Sequence, residues 1–291
     1  MDILLFNPSA GAIAKSGLTP EHLIEMLGAK GVNAYIPHYI TEDEMINVAN
    51  KASGRIIVAG GDGTVHKILK AAAQCHAVSL AIIPIGTANH LANTLGIPQE
   101  IEAAIDIIAA GYTRHIDLGK VNGTVFSQAA GAGLHARVFH TYGEHEEKSA
   151  IDAASAAFKT WTDWEPQLLH IVIDGEPYID EITQVTAANT PIYGRSFNIA
   201  PEARIDDGLL DVVILGKLSK FELVEYGLAI MAGRAADLPK TYTTRARKIE
   251  INSVLDEPVE VHADAEPVGH TPAVIEVLPG CLEVTVPKGS P

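Results

Sequence analysis

Residues 55–64 constrain the fold of this chain more than any other stretch. Arg55-Ile56-Ile57-Val58-Ala59 is a short β-branched run of the kind that forms a buried strand. Gly60-Gly61-Asp62-Gly63-Thr64 follows directly, and Val65 to Ala73 then reads as a helix. A glycine-rich turn between a strand and a helix start exposes backbone N–H groups with no internal partner. The helix dipole adds partial positive charge there, and the combination attracts phosphate. Asp62 adds a carboxylate suited to a metal ion, a ribose hydroxyl or a proton. Taken alone, the same residues also describe a tight strand–helix turn capped by Asp62 and Thr64.

The flanking segments repeat the alternation. Ile3 to Phe6 predicts a strand ending in the turn Asn7-Pro8-Ser9-Ala10-Gly11. Thr19-Pro20 supplies an N-cap with proline at the first helical position, and Gly31 can end that helix. Asn33 to Ile40 reads as a second strand, Thr41-Glu42-Asp43-Glu44 as a capping box, and Ser79 to Pro84 as a fourth strand. Such alternation predicts a parallel sheet with helices on both faces, with ligands at the carboxyl ends of its strands. Asn7, Thr41, Asp62 and Thr87 all fall just after predicted strands.

Beyond Gly111 the pattern changes. Leu168 to Ile173, Asp174-Gly175 and Tyr178 to Ala187 predict a hairpin with its turn. Leu209 to Leu215, Tyr242 to Ile251, Val259 to Ala263, Ala273 to Leu278 and Leu282 to Val286 are further strand candidates. Two helices interrupt them, Ser149 to Trp161 and one opened by the capping box Ser219-Lys220-Phe221-Glu222. The expected architecture is an α/β N-terminal domain followed by a mainly antiparallel β-sandwich C-terminal domain. The boundary falls near Arg114 to Asp117, giving domains 1–116 and 117–281.

Composition narrows the function. A formal charge of −15 argues against nucleic acid and against docking on anionic lipid by charge alone. Cys75 and Cys281 stand far apart and form no CxxC, which suits a reducing compartment. The start of the chain has no basic n-region, and no apolar run reaches the roughly 18 residues of a spanning helix. A cytoplasmic protein, at most peripheral at a membrane, is expected. Monomer and homodimer both stay open.

Pro84-Ile85-Gly86-Thr87-Ala88-Asn89 is a second turn feeding a helix. Paired with GGDGT, it resembles the diacylglycerol kinase catalytic family, the lipid kinases of bacteria and eukaryotes. Asn7-Pro8-Ser9-Ala10-Gly11 looks like that family's N-terminal nucleotide loop, and Asp117-Leu118-Gly119 like its domain-joining segment. Pro201 to Asp211 is close to its P-x-A-x-x-x-D-D-G-x-x-D stretch, and Asp264-Ala265-Glu266 resembles its D-G-E. GGDGT alone also occurs in NAD kinases and phosphofructokinases; the PEARIDDGLLD segment separates this chain from them.

The resemblance implies an ATP- and Mg2+-dependent kinase acting on a lipid hydroxyl in a cleft between two domains, with residues 282–291 returning to the first. By the same resemblance Asn7, Ser9, Ala10, Gly11, Thr41, Gly60, Gly61, Asp62, Gly63, Thr64, Gly86, Thr87 and Asn89 line the nucleotide. Glu266 accepts the proton, with Asp264, Asp62 and Asp117 as the other catalytic acids. Asp207 and the carbonyls of Arg204 and Leu209 hold a structural magnesium ion. Each motif also has a plainer reading: solvated acids at a strand edge for Asp264 and Glu266, an Asp-Gly turn for Asp207. Ala265 is expected in an ordinary backbone conformation.

Two positions depart from the family pattern. His90 stands where the family carries Asp beside the acceptor, and Lys67 where Glu is common. His90 is thus the expected substrate contact, and it also prompts two alternatives: a kinase of a non-lipid acceptor, or a nucleotide-binding regulator without catalysis. Ile151, Ala154, Phe158, Trp161 and Trp164 suit either a membrane-interface helix or a core stripe. Arg245, Arg247 and Lys248 form a basic cluster, and His135, His140 and His145 are expected not to be ligands.

Overall fold

The structure, a computed structural model, describes all residues except 9–17, 40, 74–77, 146–149, 194–196, 256 and 291. The chain divides into two compact units, Met1–Ile116 with Gly280–Pro291, and Asp117–Pro279.

The first unit is built on a parallel sheet. Strands β1 (Asp2–Phe6), β2 (Ala34–Tyr35), β3 (Gly54–Gly60) and β4 (Val78–Pro84) run in the order β2-β1-β3-β4, every pair parallel. Helices α1 (Pro20–Ala29), α2 (Glu42–Asn50), α3 (Asp62–Ala72), α4 (His90–Thr94) and α5 (Ile101–Ala110) connect and cover them. Leu23 and Leu27 of α1 and Ile105 and Ile108 of α5 pack with Leu4, Phe6, Ile57, Ala59, Ala81 and Ile83 on one face. The alternate strand residues Leu5, Ile56, Val58 and Leu80 are fully buried as well, as a strand covered on both faces requires.

The local signals behave as the chemistry dictates. Thr19 caps α1, and Val32 N–H closes its end on Leu27 O at 2.9 Å, with Gly31 at φ +80°. Thr41 and Glu44 form the full capping box of α2. Of the expected strand 33–40, the described residues 33–39 form only the two residues of β2. Among the described residues this strand pairs with β1 alone, and Pro37 has no N–H with which to extend the ladder.

The second unit is antiparallel. It contains the end of β5 (Thr113–Val121) and strands β6 (Thr124–Phe126), β7 (Ala129–Gly133), β8 (Gln167–Ile173) and β9 (Glu176–Ala188). The short strands β10 (Ile192–Tyr193) and β11 (Phe197–Asn198) form a separate pair. Strands β12 (Leu210–Gly216), β13 (Thr241–Ala246), β14 (Lys248–Ser253), β15 (Glu260–Ala263), β16 (Glu266–His270) and most of β17 (Ala273–Thr285) complete it. Ladders run β16-β15-β7-β9-β8-β14-β17, with β12 joining β9 to β13. The Asp174-Gly175 turn between β8 and β9 has φ +47° and +94°, the left-handed pair that a two-residue hairpin loop needs.

Three expectations are corrected in this unit. Residues 242–251 are two strands, because the Asp174 carboxylate takes the N–H groups of Arg247 and Lys248 and ends the first ladder there. The expected strands 273–278 and 282–286 merge into one strand, β17, which ends at Thr285 and whose far half pairs in parallel with β4 in the first unit (Glu283 with Ser79, Val284 with Leu80). The chain also forms a helix that the sequence reading lacks, α6 (Leu134–His145), which carries His135, His140 and His145. Helices α7 (Ala150–Asp163) and α8 (Lys220–Met231) match the expected helices closely, and Ser219 with Glu222 caps α8.

Candidate functional site

In the first unit, β3 ends at Gly60 and α3 begins at Asp62, with Gly61 as the cap. No side-chain hydrogen bond caps α3. The N–H groups of its first turn are therefore donors suited to an anion. A second turn, Gly86 to Asn89, is clasped against the first. Asp62 makes the clasp: Oδ2 accepts the N–H of Asn89 at 2.8 Å and Oδ1 that of His90 at 2.6 Å. Asn89 sits at φ +52°, a region that asparagine tolerates, and its side chain closes the turn on both the N–H and the carbonyl of Gly86 at 3.0 Å. Close approach explains the glycines. A Cβ on Gly86 would lie 2.4 Å from Gly61 Cα, and one on Gly60 2.7 Å from Thr64 Cβ.

A third loop joins these two. Asn7, just past β1, donates Nδ2 to Thr64 Oγ1 at 2.6 Å. Asn7, Gly60, Gly61, Asp62, Gly63, Thr64, Gly86, Thr87, Asn89 and His90 thus share the carboxyl-end rim of the sheet, where Gly63 and Thr87 are exposed. Thr41 spends its hydroxyl on the α2 cap, accepting Glu44 N–H at 3.3 Å. With Asn7 it lines a cavity of about 220 Å³ that also includes Phe6, Pro8 and Tyr39. Tyr39 escaped the sequence reading. Its hydroxyl accepts Phe6 N–H at 2.6 Å and donates to Phe6 O at 2.9 Å, pinning the end of β1, and burial raises its pKa. Ser9, Ala10 and Gly11 lie outside the described residues. His90 Nε2 is buried without a hydrogen bond.

In the second unit, hydrogen bonds link Asp117 to the turn that carries Asp264. Asp117 is buried, its Oδ2 accepts Gly208 N–H at 2.6 Å, and its own N–H donates to Ile205 O at 2.7 Å. Asn189, fully buried, donates Nδ2 to Asp117 O and to Ser127 O, both at 2.9 Å. Asp264 then holds residues 127–129. Its Oδ2 accepts Ser127 N–H at 2.7 Å, and its Oδ1 accepts Gln128 N–H at 2.7 Å and Ala129 N–H at 3.0 Å. Asp264 and Ala265 form the turn between β15 and β16 at φ +50° and +65°. The expectation for Ala265 is thereby corrected: a left-handed position costs an L-residue about 1–2 kcal/mol, and this is what a glycine would relieve. Glu266 opens β16 and is exposed. Asn189 was missed by the sequence reading, for want of any motif around it.

Asp207 Oδ1 accepts Leu209 N–H at 3.1 Å. Its Oδ2 and the Oδ2 of Asp211 are both buried without a hydrogen bond, and Arg245 stands 3.8 and 3.4 Å from the two carboxylates. Burial raises the pKa of Asp211, with Arg245 acting against it. Two buried carboxylate oxygens without hydrogen bonds, one of them facing Arg245 at 3.8 Å, suit a further cation such as magnesium, so the residues present fit the implied metal. Arg204 is exposed and lies 3.5 Å from Asp206. Among the described residues no group of three or more His, Cys, Asp or Glu side chains is placed to hold a metal by itself.

The remaining motifs resolve as structure. Trp161 stacks on Tyr226 at 5.7 Å and on His135 at 6.1 Å, and its indole N–H donates to Leu223 O, so it belongs to the core stripe, whereas Phe158 is exposed. His135 shares a hydrogen bond with the Tyr226 hydroxyl at 3.1 Å. His135 and His262 are buried together, and burial lowers both pKa values, that of His262 to about 3. Two larger hollows in this unit, about 490 and 570 Å³, are lined by residues such as Arg137 and Trp164 or Tyr178 and Tyr242 and include none of the expected site residues.

Comparison with known proteins agrees with this anatomy. Residues 3–121 match the diacylglycerol kinase catalytic domain, and residues 128–286 match the YegS C-terminal NAD kinase beta sandwich-like domain. A diacylglycerol kinase of Bacillus subtilis (strain 168) is 29% identical over 98% of this chain and 96% of its own length. One from Mycobacterium tuberculosis is 29% identical over 82% of this chain and 78% of its own. The crystal structure of a diacylglycerol kinase from Bacillus anthracis superposes with a TM-score of 0.72 at 25% identity, covering 100% of this chain and 98% of that one. An NAD kinase from Archaeoglobus fulgidus, solved in complex with ATP, shares the fold alone, at a TM-score of 0.56 and 15% identity. The glycine turns, the Asp207 segment and both matched domains together place the chain in the diacylglycerol kinase catalytic-domain family, a family of lipid kinases.

Proposed function

We propose that this protein transfers the γ-phosphoryl group of ATP to a hydroxyl of a diacylglycerol-like lipid. The observation that carries the reading is the Asp62 clasp, which sets the two glycine turns side by side beside the uncapped start of α3. Phosphoryl transfer needs a rigid, donor-rich seat for the phosphates more than it needs covalent help. Gly60 to Thr64 seat the phosphates, and Asn7, Thr41, Gly86, Thr87 and Asn89 shape the surrounding rim. Asp62 acts by fixing that rim, since both its oxygens already hold backbone N–H groups.

Glu266 accepts the proton of the acceptor hydroxyl. The alcohol oxygen bonds to the γ-phosphorus, the bond to the β–γ bridging oxygen breaks, and ADP leaves. Asp117 and Asp264 position the backbone of their unit. Asp207 and Asp211, with the carbonyls of Arg204 and Leu209, would hold a structural magnesium ion, which when bound would offset the charge of the two carboxylates.

The test is label transfer from γ-labelled ATP to a panel of lipids in mixed micelles. Transfer to a soluble alcohol with none to any lipid rejects the lipid assignment. A second reading, a non-lipid acceptor, is favoured by one observation: an imidazole at His90 where the family pattern has a carboxylate. Under that reading His90→Asp creates or raises lipid phosphorylation; under the first it does not.

A further inference from the structure

Helix α8 is apolar on two sides. Leu223, Tyr226 and Ile230 are buried in the core of the second unit. Phe221, Val224 and Leu228 are 81%, 48% and 68% exposed. Their spacing, i, i+3 and i+7, lines them up as a stripe on the outer face, where a surface helix ordinarily carries charge. The adjoining helix adds a further ring. Trp161 of α7 bonds Leu223 O at 3.0 Å, which pins the two helices together, and Phe158, one turn earlier on α7, is 67% exposed. Large apolar side chains grouped this way on a surface mark an interaction site.

The charge around the stripe points to what covers it. Lys217, Lys220, Arg234 and Lys240 lie on or beside α8 in sequence, against Glu222, Glu225 and Asp237, in a chain whose formal charge is −15. Lys220 is exposed at the first position of α8, and Lys217 and Lys240 lie beside its start, where they also pair with Glu181 at 3.0 Å and Glu222 at 2.8 Å. Apolar groups that enter a bilayer, bordered by cations at headgroup level, are the features of an interfacial helix. No described helix is long and apolar enough to cross a membrane, so a lipid acceptor would have to be met at the bilayer surface. We infer that the outer face of α8 is the surface by which this protein docks on a bilayer containing anionic lipid. The inference rests on the lipid-kinase reading.

The experiment is co-sedimentation with vesicles of phosphatidylcholine and phosphatidylglycerol in equal parts. The parent protein binds, and binds phosphatidylcholine alone more weakly. The double variant Phe221→Ser, Leu228→Asp loses about tenfold or more in vesicle affinity, since each side chain forfeits its burial in lipid. Its activity on a water-dispersed short-chain acylglycerol stays within about twofold of the parent, because neither residue belongs to the proposed site. In a Phe221→Trp variant, brominated lipid quenches the added fluorescence.

Parent protein that ignores the vesicles overturns the docking surface, as does equal binding by the double variant or an unquenched Trp at position 221. A dimeric parent made monomeric by the double substitution also overturns it, by assigning the stripe to a second copy. Vesicle binding lost in the double variant, without lipid phosphorylation by the parent, upholds the surface and rejects the kinase reading. Lipid phosphorylation with unchanged vesicle binding by the variant does the reverse.

Discussion

Replacing Asp264 by Asn separates positioning from chemistry in the second unit. The carboxylate holds the N–H groups of Ser127, Gln128 and Ala129 at 2.7, 2.7 and 3.0 Å, and these residues are 2%, 8% and 0% exposed. Asn keeps one accepting oxygen but turns an NH2 toward at least one main-chain N–H. A buried donor left unpaired costs about 1–3 kcal/mol, and the bonds that survive lose the assistance of charge. The sum is about 2–4 kcal/mol, which for a unit of this size lowers the melting temperature by roughly 5–15 °C. The assay is thermal unfolding of parent and variant, followed by circular dichroism, alongside phosphoryl transfer at a temperature where both are folded.

Glu266→Gln is the control. Glu266 is exposed at the start of β16, so its variant should melt within about 1 °C of the parent and yet lose transfer by about a hundredfold or more. If Asp264→Asn melts like the parent while transfer disappears, the carboxylate works in the reaction rather than in the clamp, and the hydrogen-bond argument fails.

Gly86→Ala places a methyl 2.4 Å from Gly61 Cα, so it should abolish ATP binding by calorimetry while leaving the second unit folded; unchanged ATP affinity would disprove the tight apposition of the turns. Asp207→Asn should remove most of the thermal stabilisation that excess magnesium gives the parent, and equal responses in the two proteins would dismiss the cation site. His135 and His262 are buried neutral and take up protons mainly on unfolding, where their pKa is the ordinary 6.5. Stability is therefore full above about pH 6.5 and falls below it by up to about 2–3 kcal/mol per unit, until the folded rings titrate. Urea midpoints that stay flat between about pH 7 and pH 5 would refute this.

The sequence disclosed what is local. A strand, GGDGT and a helix start are contiguous, and so are both capping boxes and the Asp174-Gly175 hairpin turn, so each could be read from neighbours in the chain. Parallel pairing of β1, β3 and β4 followed from the alternation. Asn189, Tyr39 and the Asp174 carboxylate that splits residues 242–251 were not legible, because each acts on residues tens of positions away through a single side chain. Helix α6 was hidden for another reason. It follows Ala129 to Gly133, a strand of small residues whose propensity is weak and whose burial between β9 and β15 decides its state.

Hydrogen-bond accounting also sorts the acids that sequence alone ranked together. A carboxylate oxygen filled by a main-chain N–H is committed to holding that stretch of backbone. Both oxygens of Asp62 and of Asp264 are so filled, and Oδ2 of the buried Asp117 accepts Gly208 N–H. Glu266 differs in being exposed, one residue past a turn whose geometry Asp264 enforces. The aspartates thus hold backbone geometry, and under the proposed function the exposed glutamate at the turn's exit takes the proton. Exchanging the two carboxylates of the turn in one variant, Asp264→Glu with Glu266→Asp, should therefore lose both stability and transfer, although composition and charge are unchanged.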